Sequence, residues 1–238
     1  MEKKETIIGT DGNDRIIAAD LDSVISAGAG NNRILAGGGD NFIEAGDGND
    51  QIEAGEGSNE IRAGGGNNKI SVGNGSNVVT AEGGADVITG GGGSNVINAG
   101  EGNNKITVAG AEESENIITA GSGSDNIRAG GGYNRIFAGD GSNTILAGNG
   151  NNAIFAGKGN DAITVGGGNN EIEAGEGSNK VTAGSGDNSI TTGGGADQIK
   201  AGDGNNYVSA GDGKNSITLG KGDNTVSAGA GDDSIKLG

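Results

Sequence analysis

A large β-branched residue returns at every ninth position along almost the whole chain, from Ile16 through Ile25, Ile34 and Ile43 to Ile235, with Val in its place only at Val79, Val181, Val208 and Val226. Two positions before each of these stands Asn or Asp, apart from Ser23, and two positions before that there is almost always Gly. Units start at residues 9, 18 and 27 and run in step to 99. After one twelve-residue unit, 108–119, they resume at 120 and continue to 228. A fixed short period of this kind predicts a solenoid.

Within a unit the positions read Ala-Gly-x-Gly-x-Asn/Asp-x-Ile-x, as in Ala45-Gly46-Asp47-Gly48-Asn49-Asp50-Gln51-Ile52-Glu53. Glycines at the second and fourth positions permit positive φ, so the first six residues predict a tight loop. The last three, a β-branched residue between two variable ones, predict a short strand with its middle side chain inward. Positions seven and nine then face outward, because side chains alternate across a strand. One Ile and a neighbouring Ala per unit bury too little apolar surface to offset the entropy of ordering the chain. A periodic polar interaction must therefore hold the loops, and the recurring Asn or Asp at the sixth position is the candidate.

This register resembles the repeats-in-toxin (RTX) nonapeptide family, whose pattern is Gly-Gly-x-Gly-x-Asp-x-U-x with U a large apolar residue. The resemblance covers about residues 9 to 238. It implies an all-β fold, a right-handed parallel β-roll in which two nonapeptides make one turn and the six-residue loops bind calcium. At about 4.8 Å per turn, some twelve turns give a rod of roughly 60 Å. On this reading residues 1–8 are an N-terminal tail and 9–238 a single continuous solenoid, with a three-residue insertion near 109–115 bulging from one loop. A wide turn of four strands is disfavoured, because one inward Ile per strand fills so large a tube poorly. A turn of three units scrambles the aspartate positions. The resemblance further implies a calcium-dependent module of a secreted bacterial toxin, adhesin or enzyme.

The chain departs from the family at the sixth position. Only Asp14, Asp50, Asp86, Asp125, Asp161, Asp197 and Asp233 keep the carboxylate, always four units apart; the others are Asn, except Ser23. With two units per turn, one side of the rod alternates Asp and Asn while the other is asparagine from Asn41 to Asn224. A stacked Asn column predicts an amide ladder, each side chain donating to one neighbour and accepting from the other, which needs no metal. Calcium favours six to eight oxygens including carboxylates. Candidate metal ligands are therefore the seven aspartates, assisted by Asp11, Asp47 and Asp232, in weak sites. The bland alternative is that these aspartates are solvated loop or capping residues.

Position seven also separates the sides. Odd units carry Arg15, Arg33, Gln51, Lys69, Lys105 and Lys180, whereas even units carry Val24, Phe42, Val78, Val96, Ile117 and Tyr207. All five aromatics, Phe42, Tyr133, Phe137, Phe155 and Tyr207, lie in even units. Stacking at every second unit aligns Val78, Val96 and Ile117 in one apolar row and Phe137 with Phe155 in another, an expected face for self-association or a protein partner.

Composition narrows the remaining function classes. There is no Cys and no His, which removes disulfides, thiolate metal sites and the commonest general base. A net charge of -17 argues against nucleic acid and favours cations or simple solubility. Paired carboxylates abound, but a repetitive rod offers them no concave pocket, so no enzyme is expected. No apolar run approaches a membrane span, and residues 1–6 lack the apolar core of a secretory signal. If natural, the protein is expected outside the cell. The chain stops in mid-unit at Leu237-Gly238, which fits a fragment or an engineered array. Two functions result: a metal-independent structural scaffold held by Asn ladders, with weak calcium binding on the odd side, and the calcium-dependent RTX module.

Overall fold

The computed structural model describes residues 4–238, which form 26 strands, β1 (Glu5–Ile8) to β26 (Ser234–Leu237), and no helix. The strands make two parallel sheets of thirteen, the odd-numbered strands in one and the even-numbered strands in the other. Each strand pairs with the one two places later in the chain, as Ile25 with Ile43 and Ile34 with Ile52. Two nonapeptides therefore make each turn, as the family resemblance implies and against the wider turn of four strands. The odd-numbered strands come from the even units and carry the uniform Asn column; they are called the asparagine sheet. The even-numbered strands, with alternating Asp and Asn, are the mixed sheet.

Three side chains in each unit point inward: the sixth, the eighth and the first of the next unit. Along β4 (Arg33–Ala36), Arg33 and Leu35 are exposed while Ile34 and Ala36 are buried. Asn32, two residues before Ile34, is buried as well. The Ile columns of the two sheets and the Ala, Val or Leu columns beside them form one continuous core along the rod. Small residues at the first position let the sheets lie close where the chain enters the loop. The loop itself requires glycine: Gly48 has φ +142, and a Cβ there would collide with the carbonyl of Gly30 one turn earlier.

The structure departs from the sequence reading at the start of the chain. Glu5–Ile8, expected in a tail, pairs in parallel with β3 (Ser23–Ser26), Ile7 opposite Ile25. Ile7 stands one unit length before Ile16, so the register already reached it, but no glycine loop precedes it to mark the unit. Between β12 (Lys105–Val108) and β13 (Glu115–Thr119) the chain makes a turn closed by Ser114, whose N–H and hydroxyl both donate to the Ala111 carbonyl at 3.1 and 2.8 Å. Glu112 and Glu113 project into solvent. The pairing offset lengthens once in each sheet by the inserted residues, at Val96 with Ile117 and at Lys105 with Asn126, and the stacking continues unbroken.

Ile127 is fully buried between Ile106 and Ile145. Ile127→Asp is expected to cost about 3 kcal/mol or more, because an unpaired carboxylate would replace an apolar group in the core. Thermal unfolding followed by circular dichroism measures this, and a parental melting curve would remove the eighth position from the core.

Candidate functional site: the columns at the sixth position

Because residues six and eight of a unit are two apart on an extended chain, the side chain that sets the loop shares a face with the core Ile. Its polar end is thus buried beside apolar groups and has to be satisfied locally. On the asparagine sheet, from Asn41 onward, this is done by amides. Asn152 donates through Nδ2 to the carbonyls of Gly148 and Gly150 in its own loop, at 3.1 and 3.0 Å, and to Oδ1 of Asn170 at 2.8 Å. Its backbone N–H donates to the same Oδ1 at 3.1 Å. The side chain-to-side chain relay runs without a break from Asn41 to Asn224. The expected ladder is present, and each rung also closes its own loop.

The mixed sheet works differently. Each sixth-position Oδ1 accepts the backbone N–H from the turn before, but no amide donates to the neighbouring side chain. Asn32 N–H reaches Asp50 Oδ1 at 2.6 Å, and the equivalent bonds to Asp86, Asp125, Asp161 and Asp197 are each 2.7 Å. The reverse bonds, from aspartate N–H to asparagine Oδ1, are 2.9 to 3.1 Å. The shorter set is the one whose acceptor can carry charge. Asn32 turns its Nδ2 onto the carbonyls of Gly28 and Gly30 at 3.3 and 3.2 Å, and onto Ala45 O at 3.1 Å.

An aspartate in the same place has no Nδ2 to offer. The Oδ2 atoms of Asp50, Asp86, Asp125, Asp161 and Asp197 are buried with no hydrogen-bond partner. By the symmetry of the repeat, the loop carbonyls corresponding to those of Gly28 and Gly30 are, for Asp50, those of Gly46 and Gly48. Those carbonyls are acceptors and offer the Asp50 Oδ2 no hydrogen. Two species suit it: a proton on the carboxylate, or a hard cation that takes oxygen ligands. Burial pushes all five carboxyls above the ordinary value of 3.8, opposed by the backbone N–H and the nearby side-chain amide of the preceding asparagines and, at Asp197, by the Thr192 hydroxyl. Asp125 and Asp161 reach about 6, helped by nearby Glu101 and Asp140 respectively.

The seven predicted aspartates therefore divide. The five central ones are buried rather than solvated, against the bland reading of them as surface loop residues. Asp14 is half-buried and caps the first loop, its Oδ2 accepting from Thr10 N–H and Oγ1 at 2.7 and 2.9 Å. Asp233 is half-buried and accepts from Asn215 N–H at 2.9 Å. Asp11, Asp47 and Asp232 lie exposed in the loops. Among the described residues no three acidic side chains converge. Successive column aspartates are two turns apart, about 9.5 Å, with a neutral Asn between. The partnerless oxygens escaped the sequence reading, although the two-residue step from position six to Ile was a visible sign that the carboxylates face the core.

The outer faces differ in chemistry. On the asparagine sheet Val78 pairs with Val96 and Val96 with Ile117, and the Phe137 and Phe155 rings stack at 5.1 Å. Arg62 lies over the Phe42 ring and is held by Glu44 and Glu60 at 3.2 and 2.9 Å. On the mixed sheet, position seven presents Arg15, Arg33, Lys69, Lys105 and Lys180 to solvent. Position nine adds Arg128, Lys200 and Lys236. Among the described residues Glu53 is the single acid on that face, and none of its cations has a carboxylate within ion-pair distance. In the loops between strands acids dominate, and the basic residues there are Lys158, Lys214 and Lys221.

The chain matches the family model described as RTX calcium-binding nonapeptide repeat (4 copies) in overlapping segments that span residues 3–106 and 119–235. The gap between them, 107–118, covers all but the last residue of the twelve-residue unit. No curated protein matches the chain significantly.

The raised carboxyls set a direction for pH dependence. Each folded-state value lies above the unfolded one, so their contribution is fully present below pH 3.8 and is lost as pH rises through about 6, where Asp125 and Asp161 ionise. In chelator, the melting temperature is expected to fall across that interval. The double variant Asp125→Asn, Asp161→Asn should flatten the fall, since an amide supplies the missing donor without titrating. An identical slope in parent and variant would assign the effect to general surface charge.

Proposed function

The chain belongs to the RTX calcium-binding nonapeptide repeat family, and from that premise we propose that it is a rigid, non-enzymatic scaffold in which asparagine ladders take the place that calcium has elsewhere in the family. The unbroken relay from Asn41 to Asn224 carries this reading. Each amide from Asn41 to Asn206 has an acceptor in its own loop and another on its neighbour, so that half of the rod is complete without a cation. Rigidity follows from parallel pairing at every turn and from a core that runs the length of the rod.

Calcium has a secondary role in this reading. It would be held by the free Oδ2 of Asp50, Asp86, Asp125, Asp161 and Asp197 together with the glycine carbonyls of the same loops. The donor set fits a hard cation, since it is all oxygen and lacks hydrogens. One carboxylate per two turns leaves the sites low in charge, and affinity for calcium falls with ligand charge. Bound calcium also displaces the proton that burial favours, so its grip strengthens as pH rises. The alternative reading, a calcium-driven module of a secreted bacterial protein, draws on the same partnerless oxygens and on family membership. The two differ in whether the metal-free chain is folded.

In excess chelator the far-ultraviolet circular dichroism is expected to keep most of its β-sheet signal, and saturating calcium to raise the melting temperature by a few degrees through mass action. Asp50→Asn, Asp86→Asn and Asp161→Asn together should diminish that shift while leaving the rod folded. Collapse to a coil in chelator, reversed by calcium, would falsify the scaffold reading and restore the calcium-driven one.

A further inference from the structure

The mixed face is a row of unpaired cations on an acidic molecule, and its charges have a period. Arg33, Lys69 and Lys105 lie four units apart on alternate strands of the mixed sheet, since Gln51 separates the first two and Val87 the last two. All three are exposed. Between Arg33 and Lys69 the intervening strand carries Glu53, while between Lys69 and Lys105 it carries the neutral Val87 and Thr89. Read strand by strand along the rod axis, with Glu53 at position nine beside the line of position-seven cations, the face runs plus, minus, plus, neutral, plus, at about 4.8 Å per step.

The loop edge that leads into the same sheet carries the inverse pattern farther along the rod. At the loop apices, position three holds Asp140, Lys158, Glu176, Gly194 and Asp212 in five consecutive turns. The three acids are exposed and lie in every second turn. At position three this row runs minus, plus, minus, neutral, minus, with exposed Lys214 at position five of the last loop beside Asp212. Two of its neighbouring pairs are tied directly to the pitch of the rod: Asp140 Oδ1 accepts the Lys158 N–H at 2.9 Å, and Glu176 Oε2 accepts that of Gly194 at 3.0 Å. Because both rows are set by the same stacking distance, they match step for step.

We propose that a second copy of this chain docks by this pattern, the apex row of one rod lying along the mixed face of the next in parallel orientation. Asp140 then meets Arg33, Lys158 meets Glu53, Glu176 meets Lys69 and Asp212 meets Lys105, with Gly194 over Val87. Antiparallel docking loses this fit, because Lys158 then falls on Val87 and Glu53 on Gly194. The contact joins two different surfaces and displaces each rod by six turns, about 29 Å. Such a head-to-tail contact does not close on itself, so it builds a staggered array rather than a dimer. Exposed ion pairs are individually weak, so the array is labile and salt-sensitive.

Sedimentation velocity in chelator, which removes calcium bridging, tests the contact. The parent is expected to exceed the 22.9 kDa monomer at low salt and to return to it near 1 M salt, where screening acts within about 3 Å. General repulsion between rods of charge -17 predicts the opposite trend. Lys69→Glu with Lys105→Glu, and separately Glu176→Lys with Asp212→Lys, should each be monomeric at low salt. An equimolar mixture of the two variants should assemble, because each then offers the complement of the other. Monomeric parent at all salts, association that grows with salt, or a mixture that stays monomeric while the parent assembles overturns the proposal. So does a parent that is monomeric alone yet shifts with added polyglutamate, which would assign the face to a polyanionic partner.

Discussion

One bond recurs through this architecture: all along the mixed sheet, and at most turns of the asparagine sheet, the sixth side chain accepts the backbone N–H of the sixth residue in the turn before. It joins neighbouring turns at the place where the strand begins, and it does so inside the rod beside the core Ile. A loop of six residues with two glycines has many conformations open to it, and hydrophobic burial alone cannot select one. Fixing the loop's last residue to the turn above and, where that residue is asparagine, tying its Nδ2 to two carbonyls of the same loop removes that freedom. The alternation of strand and loop then repeats with constant pitch, and the Ile columns come into contact as a consequence.

The identity of the sixth residue decides how complete that bond network is. Asparagine brings an acceptor for the neighbouring N–H and a donor for its own loop. Aspartate brings the acceptor alone, and does it more strongly, as the 2.6 and 2.7 Å contacts from Asn32 and Asn68 illustrate. What it lacks is left as a buried oxygen facing other oxygens. Placing an asparagine in every alternate turn of the mixed sheet keeps the carboxylates two turns apart, which spares the metal-free rod direct repulsion between buried charges. The even spacing of the seven aspartates therefore has a physical sense: donor-poor loops are always flanked by complete ones.

Outside the core the same repeat sorts charge by geometry. Positions seven and nine face outward from flat strands, and on the mixed sheet they hold cations; loop apices hold acids. A chain whose net charge is -17 therefore presents a basic face bordered by acidic edges. Net charge describes the long-range field, but within a Debye length of the surface the local pattern governs contact. A solenoid makes such patterns regular, because its pitch fixes the distance between side chains that are far apart in sequence.

Much of this was legible in the residues themselves. The regular return of Ile, the glycines before it and the parity of inward and outward positions determined the strands and the loops and, with the two-unit turn that the family resemblance implies, the ladder from Asn41 to Asn224, because each depends on spacing within one or two units. Glu5–Ile8 was not legible, for want of a glycine loop ahead of it, although Ile7 keeps the register. Only the tertiary structure decided what lies between turns. That Asn32 turns its Nδ2 into its own loop instead of toward Asp50, and that the aspartate oxygens are consequently alone, depends on how strands two units apart stack. The inward parity of the sixth position is visible in its two-residue step to Ile, but how completely each carboxylate is buried, and that its second oxygen finds no partner, follows only from the packed rod.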